Sequence, residues 1–297
     1  MISVSIIVPL SVRADIVLPS VLSSTTASLF IAPLTEASSA IILDPSGQKI
    51  LYQKDSETVR PLASITKLVT AMVAEDILKA EGKSTMTITL SSKTNFVDVD
   101  KDLKNGERWD INDLIHFMLV TSSNTAADNI ARKMIPYSSF ISLMNFKVRT
   151  LGLSEMHFNN ATGLTDIGKN GQLIPGGIGS AHDVALVVAH AMVAYPEILS
   201  QSSTYSANFH SLLGNRIIQR TATSTNDLLL KIPEIIASKT GFTEDAGGNL
   251  MVVIRGHDNL PLIIVVLGST YQGRFEDVKN LTSATLGYFN QQLSTLI

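Results

Sequence analysis

Cysteine is absent from the 297 residues, which excludes disulfides, thiolate metal sites and thiol nucleophiles while leaving the cellular compartment open. Histidine is sparse and forms no H-E-x-x-H pair, so His116, His182, His190, His210 and His257 read as surface or core residues, with no metal expected. There is no basic excess either. The formal net charge is −3 and like charges form no long runs, which argues against a nucleic-acid partner. Internal repeats are missing, and beyond the N-terminal region no apolar run is long enough to span a bilayer. No sequence feature calls for a cofactor. What the chain does have is bulk: 45% hydrophobic residues over this length can build a substantial core, as one large domain or two tightly packed lobes.

The first 36 residues form a leader distinct from a body spanning 37–297. Ile2 to Val12 is apolar and uncharged, and a second uncharged stretch from Ile16 to Thr35 is interrupted by Pro19 and Pro33. No basic residue precedes the first stretch, and the second is rich in Ser and Thr, so neither has the usual build of an export signal. An export signal, an N-terminal membrane anchor and a flexible leader all remain open. Export is the favoured reading and places the body outside the cytoplasm.

From Ala37 onward the pattern predicts an α+β fold (α/β in the broad sense). Ser39 to Leu43 and Gln48 to Tyr52 read as a hairpin around Asp44-Pro45-Ser46-Gly47. Helical spacing of apolar residues follows Ser64 and recurs over Ile111–Leu119, Thr125–Met134, Ser138–Leu151 and Ala181–Ala194. Strands then return. Tyr205–Phe209 and Arg216–Gln219 form a hairpin around Gly214-Asn215. Ile235–Thr243, Asn249–Arg255 and Leu262–Leu267 form a three-strand run with a turn at His257-Asp258-Asn259, and Phe275–Leu293 closes the chain as a helix. Strands at both ends with helices between predict one antiparallel sheet built from the two chain ends, with an inserted helical lobe and a cleft between them.

Three short motifs carry the chemistry. Ser64-Ile65-Thr66-Lys67 places a hydroxyl and an amine three residues apart on one helix face, within mutual reach. Alone it is a weak signal, because a helix-capping serine followed by a solvated lysine gives the same string. Ser122-Ser123-Asn124 and Lys239-Thr240-Gly241 follow it in the order S-x-x-K, S-x-N, K-T-G that serves acyl transfer. An ordinary lysine, with a pKa of about 10.4, is a poor base at neutral pH. Burial beside a second cation disfavours its charged form, and Lys239 is the candidate for that cation.

These motifs and their surroundings resemble the serine D-alanyl-D-alanine carboxypeptidases, the low-molecular-weight penicillin-binding proteins of peptidase family S11, over roughly residues 37 to 292. Arg60-Pro61-Leu62-Ala63 fits the R-x-x-A run before the nucleophile, and His157 to Leu164 fits an H-F-x-N-x-x-G-L loop. Asn226 to Leu229 fits N-x-L-L, and Lys239 to Gly247 fits K-T-G-x-T-x-x-A-G. Thr125 departs from the Asp that commonly follows S-x-N.

The resemblance implies a β-lactamase/DD-peptidase-like fold and a two-step acyl transfer on peptidoglycan stem peptides ending in D-Ala-D-Ala, with β-lactams as inhibitors. It makes Ser64 the nucleophile and Lys67 the base. Ser122 becomes the relay to the leaving nitrogen, and Asn124 orients the substrate amide and Lys67. Lys239, Thr240 and Thr243 hold the terminal carboxylate. Gly241 and Phe242 complete the strand, with the N–H groups of Ser64 and Phe242 as oxyanion donors. A DD-endopeptidase, a class A-type β-lactamase and a non-turning-over penicillin sensor are the alternatives. The β-lactamase reading would need a water-activating Glu, for which Glu155 in Glu155-Met156-His157-Phe158-Asn159 is the candidate; the carboxypeptidase loop accounts for the same residues better.

Overall fold

The structure, a computed structural model, describes residues 30–46, 49–91, 103–256 and 259–294. Most of the leader and the central residues of the turn at His257-Asp258 lie outside the described residues, as do Gly47 and Gln48 of the first hairpin.

The chain opens with the expected hairpin, β1 (Ser39–Asp44) and β2 (Lys49–Lys54), followed by the short β3 (Arg60–Pro61). A single 3-10 turn, Ala63–Thr66, leads into α1 (Lys67–Ala80). Next come β4 (Thr87–Thr89), β5 (Arg108–Asp110), α2 (Ile111–Thr121), α3 (Asn124–Met134) and α4 (Tyr137–Thr150). Four short strands follow: β6 (His157–Phe158), β7 (Asp166–Ile167), β8 (Leu173–Ile174) and β9 (Gly177–Gly179). Then α5 (Ala181–Ala194), α6 (Pro196–Ser202), β10 (Ser206–Leu213) and β11 (Arg216–Thr223) precede β12 (Ile235–Thr243), β13 (Gly247–Arg255), β14 (Pro261–Ser269) and α7 (Gly273–Ser294).

The main sheet runs β12-β13-β14-β1-β2, antiparallel throughout, so the two chain ends meet in one sheet as predicted. Its central strands read as unbroken apolar runs because both faces are covered. Along β14, Leu262, Ile264 and Val266 join Ala40 and Ile42 of β1 against Val278 and Leu281 of α7. The alternate residues Ile263, Val265 and Leu267 join Ile41 and Leu43 against the helical lobe. This is the two-residue period of a strand, with each face assigned to its own core. Burying each such side chain is worth about 1.5–3 kcal/mol. A one-residue slip would exchange the two sets, so register is strongly fixed.

The helical middle contains more β structure than its periodicity shows. β4 and β5 join the expected β10–β11 hairpin in a second sheet, β9 pairs with both β3 and β6, and β7 pairs with β8. Two- and three-residue strands leave too little alternation to read from sequence. The second sheet is pinned by a buried carboxylate. Glu107 is fully buried and accepts from Arg220 Nη2 at 2.8 Å, Trp109 Nε1 at 3.0 Å, Ser211 Oγ at 3.1 Å and the Lys104 N–H at 3.1 Å. A charge buried in this way is tolerable only because it is paired and its lone pairs are filled.

Candidate active site

Ser64 sits in the 3-10 turn one step before α1, not within the α-helix itself. The turn is tight: the Ile65 N–H donates to Leu62 O at 3.2 Å, and Ala63 is held at φ +48°. A non-glycine residue at positive φ is held by its surroundings, and such backbone is common at functional turns. Asn249 supports the segment from beneath. Its Nδ2 donates to Pro61 O at 3.0 Å, while its Oδ1 accepts the Gly268 N–H at 2.9 Å, joining the turn to the main sheet. The three-residue spacing delivers the expected contact, with Lys67 Nζ 2.7 Å from Ser64 Oγ.

Lys67 is fully buried, and its amine touches three oxygens: Ser64 Oγ, Asn124 Oδ1 at 2.8 Å and Thr162 O at 2.7 Å. Two of these partners, an amide oxygen and a main-chain carbonyl, can only accept. They take two N–H groups, and the remaining position on the nitrogen faces the Ser64 hydroxyl. In the neutral amine that position is the lone pair, so the arrangement aims a base at the nucleophile's proton.

Thr162 reaches Lys67 because the loop after β6 is wound around one side chain. Asn160 Oδ1 accepts from the Thr162 N–H at 3.1 Å, Thr162 Oγ1 at 3.0 Å and the Gly163 N–H at 2.9 Å, while its Nδ2 donates to Leu164 O at 2.9 Å. Gly163, at φ +82°, presses against the nucleophile turn; a Cβ there would lie 1.9 Å from Ala63 O. No side chain other than glycine fits.

The opposite wall comes from the α2–α3 junction. Ser122 caps α2 at φ +60°, and Ser123 caps α3 by accepting the Ala126 N–H at 2.9 Å, which leaves Asn124 in the first turn facing Lys67. Capping is therefore supplied by Ser123, so the Thr125 departure costs the helix nothing at its start. Lys239 Nζ donates to Ser122 Oγ at 2.7 Å and to Thr240 O at 2.9 Å. Lys239 is almost wholly buried, and its pKa lies well below the ordinary lysine range. Desolvation is the largest cause, followed by the nearby cations Lys67 and Arg274.

β12 carries Lys239 to Thr243 along the free edge of the main sheet, beside the nucleophile turn. Gly241 permits this approach: a Cβ there would lie 2.9 Å from Leu62 O and 3.2 Å from Ser64 N. Thr240 Oγ1 shares a 2.5 Å hydrogen bond with Thr225 Oγ1, and Thr243 Oγ1 accepts the Ala246 N–H at 3.3 Å. Phe242 is exposed and edge-on to Tyr271. Arg274, buried behind them, donates to Gly241 O at 2.8 Å and lies 4.4 Å from the Tyr271 ring.

The structure thus brings together two hydrogen-bonded groups, Ser64–Lys67–Asn124 and Ser122–Lys239–Thr240, whose two amines are close enough to repel each other, with Gly241 packed beside Ser64 and Phe242 and Thr243 continuing the strand. Glu155 is exposed in the turn between α4 and β6, and among the described residues no hydrogen bond ties it to these groups. Three surface cavities of about 330–500 Å³ are lined by none of these site residues. Convergent polar groups, not concavity, distinguish the Ser64 cleft. Sequence reasoning overlooked the roles of Thr162 O, Asn160, Thr225 and Arg274. Asn160 had a signal in the H-F-x-N-x-x-G-L loop; a main-chain carbonyl has none.

Comparison with known proteins identifies the family and the fold. A family model described as D-alanyl-D-alanine carboxypeptidase matches residues 26–270. The D-alanyl-D-alanine endopeptidase of Escherichia coli is 29% identical over 82% of this chain and 74% of its own length. D-alanyl-D-alanine carboxypeptidase DacF of Bacillus subtilis is 27% identical over 79% of this chain but only 58% of its own length. Among solved structures, penicillin-binding protein D2 of Listeria monocytogenes in its cefotaxime-bound form superposes with a TM-score of 0.74 at 24% identity, covering 86% of this chain and 99% of that one, and shows the same fold.

Proposed function

Because the chain belongs to the D-alanyl-D-alanine carboxypeptidase family, we propose that it removes the terminal D-alanine from peptidoglycan stem peptides through an ester on Ser64. The observation that carries this reading is the triple hydrogen bonding of Lys67 to Ser64, Asn124 and Thr162. Ser64 Oγ attacks the carbonyl between the two D-alanines as its proton passes to Lys67. The N–H groups of Ser64 and Phe242 stabilise the oxyanion, which develops only on the way to the tetrahedral intermediate. The C–N bond then breaks, with Ser122 passing a proton to the leaving nitrogen, and free D-alanine departs. Water hydrolyses the ester and restores Ser64.

Lys239 and Thr240 hold the substrate's terminal carboxylate. A β-lactam carries a matching carboxylate and an acylating carbonyl, so it forms the same ester and inhibits. A substrate built into the cell wall places the enzyme outside the cytoplasm, in keeping with an export segment or membrane anchor in the leader.

A second reading is DD-endopeptidase activity, favoured by the name of the Escherichia coli relative. It uses the same residues and differs only in a larger leaving group. Product analysis on defined muropeptides separates the two. Free D-alanine from uncross-linked pentapeptides is the expected result, and cleaved cross-links without D-alanine would establish the endopeptidase. Neither product from folded protein would overturn both readings.

A further inference from the structure

A bridge joins the two banks of the Ser64 cleft. Thr165 Oγ1 lies 2.8 Å from both carboxylate oxygens of Asp245. A hydroxyl has one proton to give, so it sits astride the carboxylate and donates to either oxygen. Thr165 continues the loop that presents Thr162 O to Lys67, and Asp245 lies in the turn between β12 and β13. Both ends are held. Asn160 Nδ2 grips Leu164 O at 2.9 Å and Asp166 Oδ2 at 3.3 Å on either side of Thr165, and the Ala246 N–H to Thr243 Oγ1 contact closes the turn around Asp245. Asp245 occupies an unspecified position of K-T-G-x-T-x-x-A-G, so the motif does not account for it.

The direction of β12 says what the bridge spans. Lys239 and Thr240 lie at the carboxylate end, Gly241 packs beside Ser64 N, and Thr243 leads into the turn that holds Asp245. A substrate with its carboxylate at Lys239 and its scissile carbonyl at Ser64 must run its acyl portion onward past Thr243, toward the bridge. We propose that the Thr165–Asp245 bridge is a specificity determinant for the acyl donor. It admits a slender donor and holds back one with a bulky substituent on the residue before the first D-alanine. The leaving group lies at the other end and is not sensed. This inference rests on the reading of Ser64 as the acylated residue.

The test compares D-alanine release from two peptides of the form acyl-L-Lys-D-Ala-D-Ala, one with the lysine side-chain amine acetylated and one with it carrying a large aromatic acyl group. Thr165→Val and Asp245→Ala each remove the bridge, and each should raise the bulky-to-slender ratio of kcat/KM about tenfold, the scale of one hydrogen bond to a charged group. The double variant should gain no more than either single one, because both remove the same contact. Thr165→Ser and Asp245→Asn keep a donor and an acceptor, so both should retain the wild-type ratio and also guard against a folding artefact. An unmoved ratio in Thr165→Val and Asp245→Ala, or equal losses on both peptides, would overturn the proposal while leaving the catalytic reading intact. Wild-type protein that releases no D-alanine from the slender peptide and takes no penicilloyl group on Ser64 would instead overturn the catalytic reading, and this inference with it.

Discussion

Lys67→Arg should lose about 10²–10⁴-fold in the rate of acylation by a penicillin, the range expected when a general base is removed. A guanidinium stays protonated and cannot accept the Ser64 proton, and its planar fork does not reproduce three contacts converging on one nitrogen. Lys239→Arg should keep far more activity, since a carboxylate can still be met by a cation. It should also change the pH profile. Lys239 is charged only below its lowered pKa, so carboxylate binding in the wild type weakens as pH rises through that value, well before the ordinary lysine range. With arginine in its place, that alkaline limb should move upward or vanish. Stopped-flow acylation across pH reads both effects, and equal losses in the two variants would contradict the division of roles.

Gly163→Ala should damage stability and activity together. Its Cβ would lie 1.9 Å from Ala63 O and 2.4 Å from Ala63 C, both main-chain atoms, at a φ of +82° that already disfavours alanine. Relief requires the 159–164 loop and the nucleophile turn to separate. Overpacking and backbone strain together should cost about 2–4 kcal/mol. Separation also carries Thr162 O away from Lys67, and a displacement near 1 Å in a reacting constellation can cost on the order of 10²-fold in rate. Urea unfolding and acylation kinetics on the same preparation measure the two losses. Wild-type values in both would mean that the loop is not packed against the Ser64 turn as described.

The long elements were legible because their cause is local. Ala181 to Ala194 and Ile235 to Thr243 carry enough residues for periodicity and turn chemistry to mark both ends, and the structure places both elements there. α6 was not legible; its seven residues, beginning with Pro196, give fewer than two apolar repeats, and its helical state depends on packing against β12. β9 owes its central place to β3, a partner about 120 residues away, which no local pattern encodes. The site divides in the same way. Side chains that act through their own chemistry, such as Ser64, Lys67, Ser122, Asn124 and Lys239, declare themselves by type and order. Thr162 acts through a carbonyl that every residue has, and only the winding of the loop around Asn160 brings it to Lys67. Thr165 and Asp245 lie 80 residues apart, and nothing in either segment points to the other.

The central claim is that Ser64 is the residue that becomes acylated. Intact-mass measurement after incubation with a penicillin, followed by peptide mapping of the adduct, tests it directly. A single penicilloyl group on the peptide containing Ser64, persisting because the exposed Glu155 supplies no water-activating base, is the predicted result, with no adduct in Ser64→Ala. Rapid turnover that collapses in Glu155→Gln would move the protein to the β-lactamase reading with Ser64 still acylated, whereas an adduct on another residue, or no adduct on folded protein that also leaves the penicillin intact, would contradict the claim.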